Sequence, residues 1–213
     1  GWKDMVEALA KSDVDINYYE DESGTPLHLA AEKGAVDVTE ALLALGASTE
    51  VINGEDKTPL MVACEKGHED VVDRLLAAGA IVNTEDKDGY SPLILASVSG
   101  HLGIVDRLVI HGANINHQNM EVKTSLMYAS WNGHVPVVDR LVGLGCDLDL
   151  QDKDGKTALI WVSQRERFEI VKILLAHGAD TQIKDKEGHK AIDLTESQEI
   201  KDLLQGDLLA FLS

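Results

Sequence analysis

A stretch of ten residues, Thr25-Pro26-Leu27-His28-Leu29-Ala30-Ala31-Glu32-Lys33-Gly34, is restated along the chain at an unvarying interval of 33 residues. Thr25 returns as Thr58, Ser91, Thr124 and Thr157, and Leu27 as Leu60, Leu93, Leu126 and Leu159. Ala30 returns as Ala63, Ala96 and Ala129, and Gly34 as Gly67, Gly100 and Gly133. Lys190 and Ile192 still hold the register where the chemistry has decayed. An interval of this length marks one supersecondary unit used again and again. A single unit cannot bury its apolar face alone, so the units must stack.

The local chemistry of a unit predicts helix, turn, helix and hairpin. Thr25 is an N-cap, its hydroxyl placed to accept from an orphan amide, and Pro26 at the first helical position loses nothing by lacking an N–H. Ala30 and Ala31 are small enough for a neighbouring helix to approach closely, and Gly34 ends the first helix. Val36 to Leu43 carries apolar residues spaced for one buried face. It closes at Leu45-Gly46-Ala47, where glycine can take the left-handed conformation. Turn signals follow: Asn53-Gly54, Asp88-Gly89 and Asp154-Gly155 suit a tight hairpin.

Thr25-Pro26-Leu27-His28-Leu29-Ala30 resembles the T-P-L-H-x-A signature of ankyrin repeats, and the period is that of the family. Gly46-Ala47, Gly79-Ala80, Gly112-Ala113 and Gly178-Ala179 resemble its Gly-Ala element after the second helix. The resemblance spans essentially the whole chain. It implies an all-α repeat fold, an ankyrin-repeat α-solenoid forming a single elongated domain over 1–213. It says little about the partner, because such arrays serve many unrelated proteins.

The units read as a partial one at 1–19, full ones at 20–52, 53–85, 86–118, 119–151 and 152–184, and a C-terminal capping unit at 185–213. In the partial unit Met5, Val6 and Leu9 fall where second-helix apolar residues fall. Its missing first helix suggests a cut from a longer protein, the alternative being an abbreviated cap with Trp2 over the exposed end. In the fifth full unit Gln164-Arg165-Glu166-Arg167 replaces the Gly-His turn, which predicts a distorted or less constrained turn. The tail, with Leu208, Leu209, Phe211 and Leu212, is expected to fold back on the last helix.

Composition narrows the class of function. Apolar residues make up 44% but aromatic ones only 4%, so Leu, Val and Ala fill the core. No run of about 18 apolar residues signals a membrane span, and no secretory signal is read at the start. Cys64 and Cys146 stand at non-equivalent repeat positions, which disfavours a disulfide and predicts buried thiols in a cytoplasmic or nuclear setting. A net charge of −18 disfavours nucleic acid and anionic membrane, and is compatible with a basic protein partner or with solubility alone. A monomer is expected.

Three signals fail as chemistry. Gly155-Lys156-Thr157 lacks the earlier glycine of a phosphate loop, since Leu150 stands there. His68, His101 and His134 share one repeat position on layers about 8–10 Å apart, too far to share a zinc held at about 2 Å. They read as turn residues bonded to backbone, and His28, His111 and His177 as structural too. Asp73-Arg74, Asp106-Arg107 and Asp139-Arg140 read as exposed inter-repeat ion pairs worth about 0–1 kcal/mol each. No catalytic constellation, metal site or cofactor is read.

The resemblance implies that hairpin tips and short first helices line a concave groove. Along those positions the early units present Glu32-Lys33 and Glu65-Lys66, while the third and fourth present Tyr90, Val98, Met120 and Trp131. Aromatic and Arg side chains anchor interfaces, so the candidate partner-binding residues are Tyr90, Val98, Met120, Lys123, Trp131, Asn132 and Arg165. The competing reading packs Trp131 between adjacent first helices. Tyr128 and Trp161, at the position after His28, read as inner packing residues. The expected function is a non-catalytic protein-interaction scaffold. The alternatives are a regulatory segment of a larger enzyme or channel, or an engineered binder; framework variation between units speaks against the latter. The resemblance also raises asparagine hydroxylation at Asn83 and Asn116.

Overall fold

A computed structural model describes residues 15–19 and 22–206. The expected half-helix around Met5, the role of Trp2 and the fold-back of the tail lie outside the described residues. The chain divides into two compact units, 1–114 and 115–213.

In the first unit the helices are α1 (Pro26–Lys33), α2 (Val36–Ala44), α3 (Pro59–Lys66), α4 (Glu69–Ala77), α5 (Pro92–Ser99) and α6 (Leu102–Ile110). They form two layers: α1, α3 and α5 pack side by side, and α2, α4 and α6 form the second row. In the second unit α7 (Ser125–Asn132) and α9 (Ala158–Gln164) make the first layer, extended by a 3-10 turn at Ala191–Leu194. The second layer is α8 (Val135–Gly143), α10 (Phe168–Ala176) and α11 (Gln198–Gln205). The decay read at residue 190 is thus a first helix shortened to one 3-10 turn, with Ala191 buried and Ile192 half-buried.

Repeat chemistry places the core. Leu27, Leu60, Leu93, Leu126 and Leu159 are all buried, and so are Ala30, Ala63, Ala96 and Ala129. The register of Ala31 continues as Cys64, Ser97, Ser130 and Ser163, all buried, because only small side chains fit where first helices approach closely. Both cysteines are free and buried, as expected. Burial pushes both thiols up, Cys146 to about 12.

Caps fix the helix starts. Hydroxyl oxygens of Thr58, Ser91, Thr124 and Thr157 accept from the amides of Met61, Ile94, Met127 and Ile160 at 3.3–3.4 Å. At Thr25 the hydroxyl instead meets His28 Nδ1 at 2.9 Å, and the same ring atom accepts from the Thr25 amide at 3.1 Å. The other ring nitrogen donates to the Lys57 carbonyl at 2.9 Å. This arrangement needs neutral imidazole, since a proton on Nδ1 would face the Thr25 amide hydrogen. Burial lowers the His28 pKa from 6.5 and outweighs the Lys57 and Val51 carbonyls, which favour the charged ring. A lowered folded pKa means the unfolded chain takes up the proton first, so stability is full above about pH 6.5 and is lost as pH falls. We expect the wild-type urea midpoint to drop between pH 7.5 and 5.5. His28→Gln should be less stable at pH 7.5 but show a shallower slope; equal slopes would refute the assignment.

The helix-ending turns follow the same economy of parts. Gly67 has φ +84°, and a Cβ there would lie 2.5 Å from the His101 ring, whose Nε2 reaches the Glu65 carbonyl at 3.2 Å. His68 bonds the Glu32 carbonyl in the same manner at 3.0 Å, which is the backbone role the sequence predicts. In the fifth full repeat Glu166 occupies the glycine register at φ 55°, so the turn is kept but strained, and α9 is one residue shorter.

The expected hairpins differ in one respect: no strand occurs among the described residues. Five tips among the described residues are tight turns, each organised by one Asx side chain. Oδ1 of Asn53, Asp86, Asn119, Asp152 and Asp185 accepts from the amides two and four residues on, at 2.8–3.0 Å. Adjacent tips are tied by single backbone bonds, Gly54 N–H to Glu22 O and Lys186 N–H to Asp154 O. Isolated bonds of this kind are too few to make a ladder.

Candidate partner-binding clefts

Within the second unit, the turn Asn119–Lys123 and helices α7 and α9 enclose a cleft of about 230 Å³ lined by Lys123, Met127, Tyr128, Trp131 and Trp161. Trp131 lies near the end of α7, one repeat short of Gln164. Trp161 stands mid-α9, in the register of Leu29, Val62, Leu95 and Tyr128. The two indoles meet edge to face, centroids 4.5 Å apart and planes at 81°. That is a favoured aromatic geometry, worth about 0.5–1.5 kcal/mol beyond area burial.

Each element of this cleft is fixed by a named contact. Trp161 Nε1–H donates to Asp152 Oδ2 at 2.9 Å, so the carboxylate that closes its own turn also aims the indole. Arg165 stacks on the Trp131 face with its guanidinium carbon 3.6 Å from the centroid. The Lys156 ammonium lies 4.6 Å from the Trp161 ring centroid, and that of Lys123 5.6 Å. Glu121 accepts from Lys123 at 2.9 Å and from the Tyr128 hydroxyl at 3.4 Å. Its carboxyl is held below the usual range first by the Lys123 hydrogen bond and then by that ammonium's charge. Val122 in this turn has φ 60°, in the register where Gly89, Gly155 and Gly188 stand. A β-branched residue there is strained, and strain of this kind concentrates at functional sites.

The seven candidate residues separate into groups. Lys123, Trp131 and Arg165 come together in this cleft. Met120 is 62% exposed at the apex of the same turn, and Asn132 is exposed beside Trp131. Tyr90 and Val98, both half-buried, line a cleft in the first unit of about 380 Å³, together with Glu55, Lys57, Glu65 and Asp88. There Lys57 bridges Glu55 at 2.9 Å and Glu65 at 3.0 Å. Burial opposes the Lys57 charge, but the hydrogen bonds to both glutamates together with their charges outweigh it and its pKa is raised. Trp131 does contact the neighbouring first helix, yet it remains half-exposed at the cleft.

Tyr128 and Trp161, which read from the sequence as inner packing residues, also line the cleft. Their register is a core-facing one where Val62 and Leu95 are buried, but rings of this size extend past the core and both stay half-exposed. Asn83 and Asn116, the candidate modification sites, are exposed and accept from the amides of Asn114 and Asp147 at 2.8 Å.

The ion-pair reading of the ladder is seen in the first unit, where Arg74 meets Glu40, and Arg107 meets Asp73 at 2.8 Å and Glu69 at 2.9 Å. Gly155-Lys156-Thr157 is a turn followed by a cap, as its residues imply. Among the described residues one group could offer three ligand atoms to a metal: Asp185, Glu187 and His189, mutually within 4.8 Å. It is the last Asx turn, and Asp185 there holds the same two amides as its counterparts.

Models of the ankyrin-repeat family match most of the chain. One described as ankyrin repeats in three copies matches residues 45–119 and again 126–204, and one described as ankyrin repeats in many copies matches 9–59. The chain therefore belongs to the ankyrin-repeat family. Such repeats are generally protein–protein interaction modules and generally non-catalytic. A comparison with curated proteins gives no match. No helix among the described residues is long and apolar enough to cross a membrane.

Proposed function

We propose that this chain is a non-catalytic, intracellular binding module that holds a partner protein or peptide against the turns and first helices. The observation that carries this reading is the Trp131–Trp161 pair, two half-exposed indoles joined edge to face at the mouth of a preformed cleft. Exposed tryptophan held rigidly by its neighbours loses little conformational freedom on binding, and such residues dominate interface energetics. The strained Val122 turn beside it supports the same assignment. The cleft beside Tyr90 and Val98 carries Glu55, Glu65, Asp86 and Asp88 against Lys57 and Lys87, a net negative lining that suits a basic stretch of partner at the first unit.

The test is affinity capture from cell lysate, followed by binding measurements with the purified partner on wild type and Trp131→Ala. We expect at least about a tenfold loss, the scale of one hot-spot residue, with circular dichroism unchanged. An affinity retained within about twofold would remove Trp131 as the anchor.

A further inference from the structure

We infer that the Trp131–Trp161 cleft receives an acidic segment of the partner, in which an apolar side chain is flanked by a carboxylate. This rests on reading the cleft as the partner site and adds the chemistry of its occupant. It runs against the sign of the whole chain, which carries 37 acidic residues against 19 Lys and Arg.

The ring faces settle the sign. A basic peptide would bind tryptophan through its cations, but those faces already carry the protein's own: Arg165 at 3.6 Å on Trp131, and Lys156 at 4.6 Å with Lys123 at 5.6 Å on Trp161. An incoming cation would meet like charge and would have to displace them.

The two acids nearest the cleft are already engaged. Glu121 is bound to Lys123 and the Tyr128 hydroxyl. Asp152 is buried and accepts from two turn amides and the Trp161 indole. Lys156 donates to the neutral Gln164 oxygen at 3.1 Å and its charge also acts on Asp185, whereas Arg165 makes no ion pair among the described residues. In a chain with such a surplus of acids, Arg165 stands without one among the described residues. A guanidinium stacked on a ring keeps its in-plane N–H donors available, a geometry suited to a carboxylate. Met127 and the indoles supply the apolar floor.

The first unit offers the opposite. There Lys57 is bridged by two glutamates and the lining is acidic. The assignment therefore concerns the second unit's cleft alone.

The experiment is selection of a displayed library of random nine-residue peptides on the full chain, keeping only clones that lose binding to Trp131→Ala. We expect an aspartate or glutamate within two positions of a Leu, Phe or Trp to recur among them. A synthetic representative should weaken about fivefold on Arg165→Gln, an exposed substitution that spares the core, and should weaken further with added salt. If Trp131-dependent clones carry Lys or Arg at those positions, or if Arg165→Gln leaves their affinity unchanged, the site stands and the acidic occupant is wrong. If no Trp131-dependent clone emerges, the binding reading of the cleft falls and this inference falls with it.

Discussion

Leu141→Ala is expected to lower the free energy of unfolding by about 3 kcal/mol, within the range for emptying a fully packed leucine site. Leu141 is 0% exposed in α8, which packs against α7 on one side and α10 on the other. The surrounding Val137, Val138 and Val142 are themselves buried and β-branched, so they can collapse only partly into the vacated space. In a stack whose repeats touch only their neighbours the damage should stay local. Hydrogen exchange should show amides of the second unit losing protection, and urea unfolding should give the overall loss. Ile110→Ala, at a side chain 79% exposed, is the control and should stay within about 0.5 kcal/mol. A Leu141→Ala effect as small as the control's would mean that α8 does not face the core described.

Asp152→Ala should lower stability by about 3 kcal/mol, as a buried carboxylate that satisfies three N–H groups is removed. Asp152 is 6% exposed; Oδ1 holds the amides of Asp154 and Lys156 and Oδ2 holds the Trp161 indole, all at 2.9 Å. Asp152→Asn separates the two duties. Asn53 and Asn119 organise the equivalent turns with an amide oxygen, so the turn should survive. The new NH₂ would however face the indole N–H, donor against donor, as Asn119 does not, because its Nδ2 meets the Tyr128 hydroxyl. We expect Asp152→Asn to lose about 1 kcal/mol while shifting tryptophan emission as much as alanine does. If asparagine matched wild type in both respects, the indole bond would have no part in shaping the cleft.

Much of this architecture was readable residue by residue, since local rules set it. A hydroxyl five residues before a small-residue stripe is a cap whatever surrounds it, and the four observed cap bonds follow. Thr25 differs from them because its third residue on is His28, whose ring nitrogen accepts from the Thr25 amide and meets its hydroxyl, where Met61 and Ile94 present no such nitrogen. The tip chemistry was less legible. Of the Asx side chains that close the turns only Asn53 stands in an Asx-Gly signal, Asp86, Asn119, Asp152 and Asp185 do not, and Val122 and Glu166 take a left-handed conformation that sequence preference argues against. The cleft was half legible. Trp131 stood out as an aromatic on an expected outer face. Trp161 did not, because its register is apolar elsewhere and only side-chain volume carries it outward.

The two cysteines divide the molecule in a useful way. Cys64 lies at 0% exposure in α3 and Cys146 is buried after α8, one thiol in each compact unit, and burial suppresses the thiolate at both. Alkylation at either sulfur therefore requires opening of the structure around it. The native chain thus carries one chemical clock within each compact unit, and mass spectrometry of the modified peptides would time the opening around each thiol, with no residue changed.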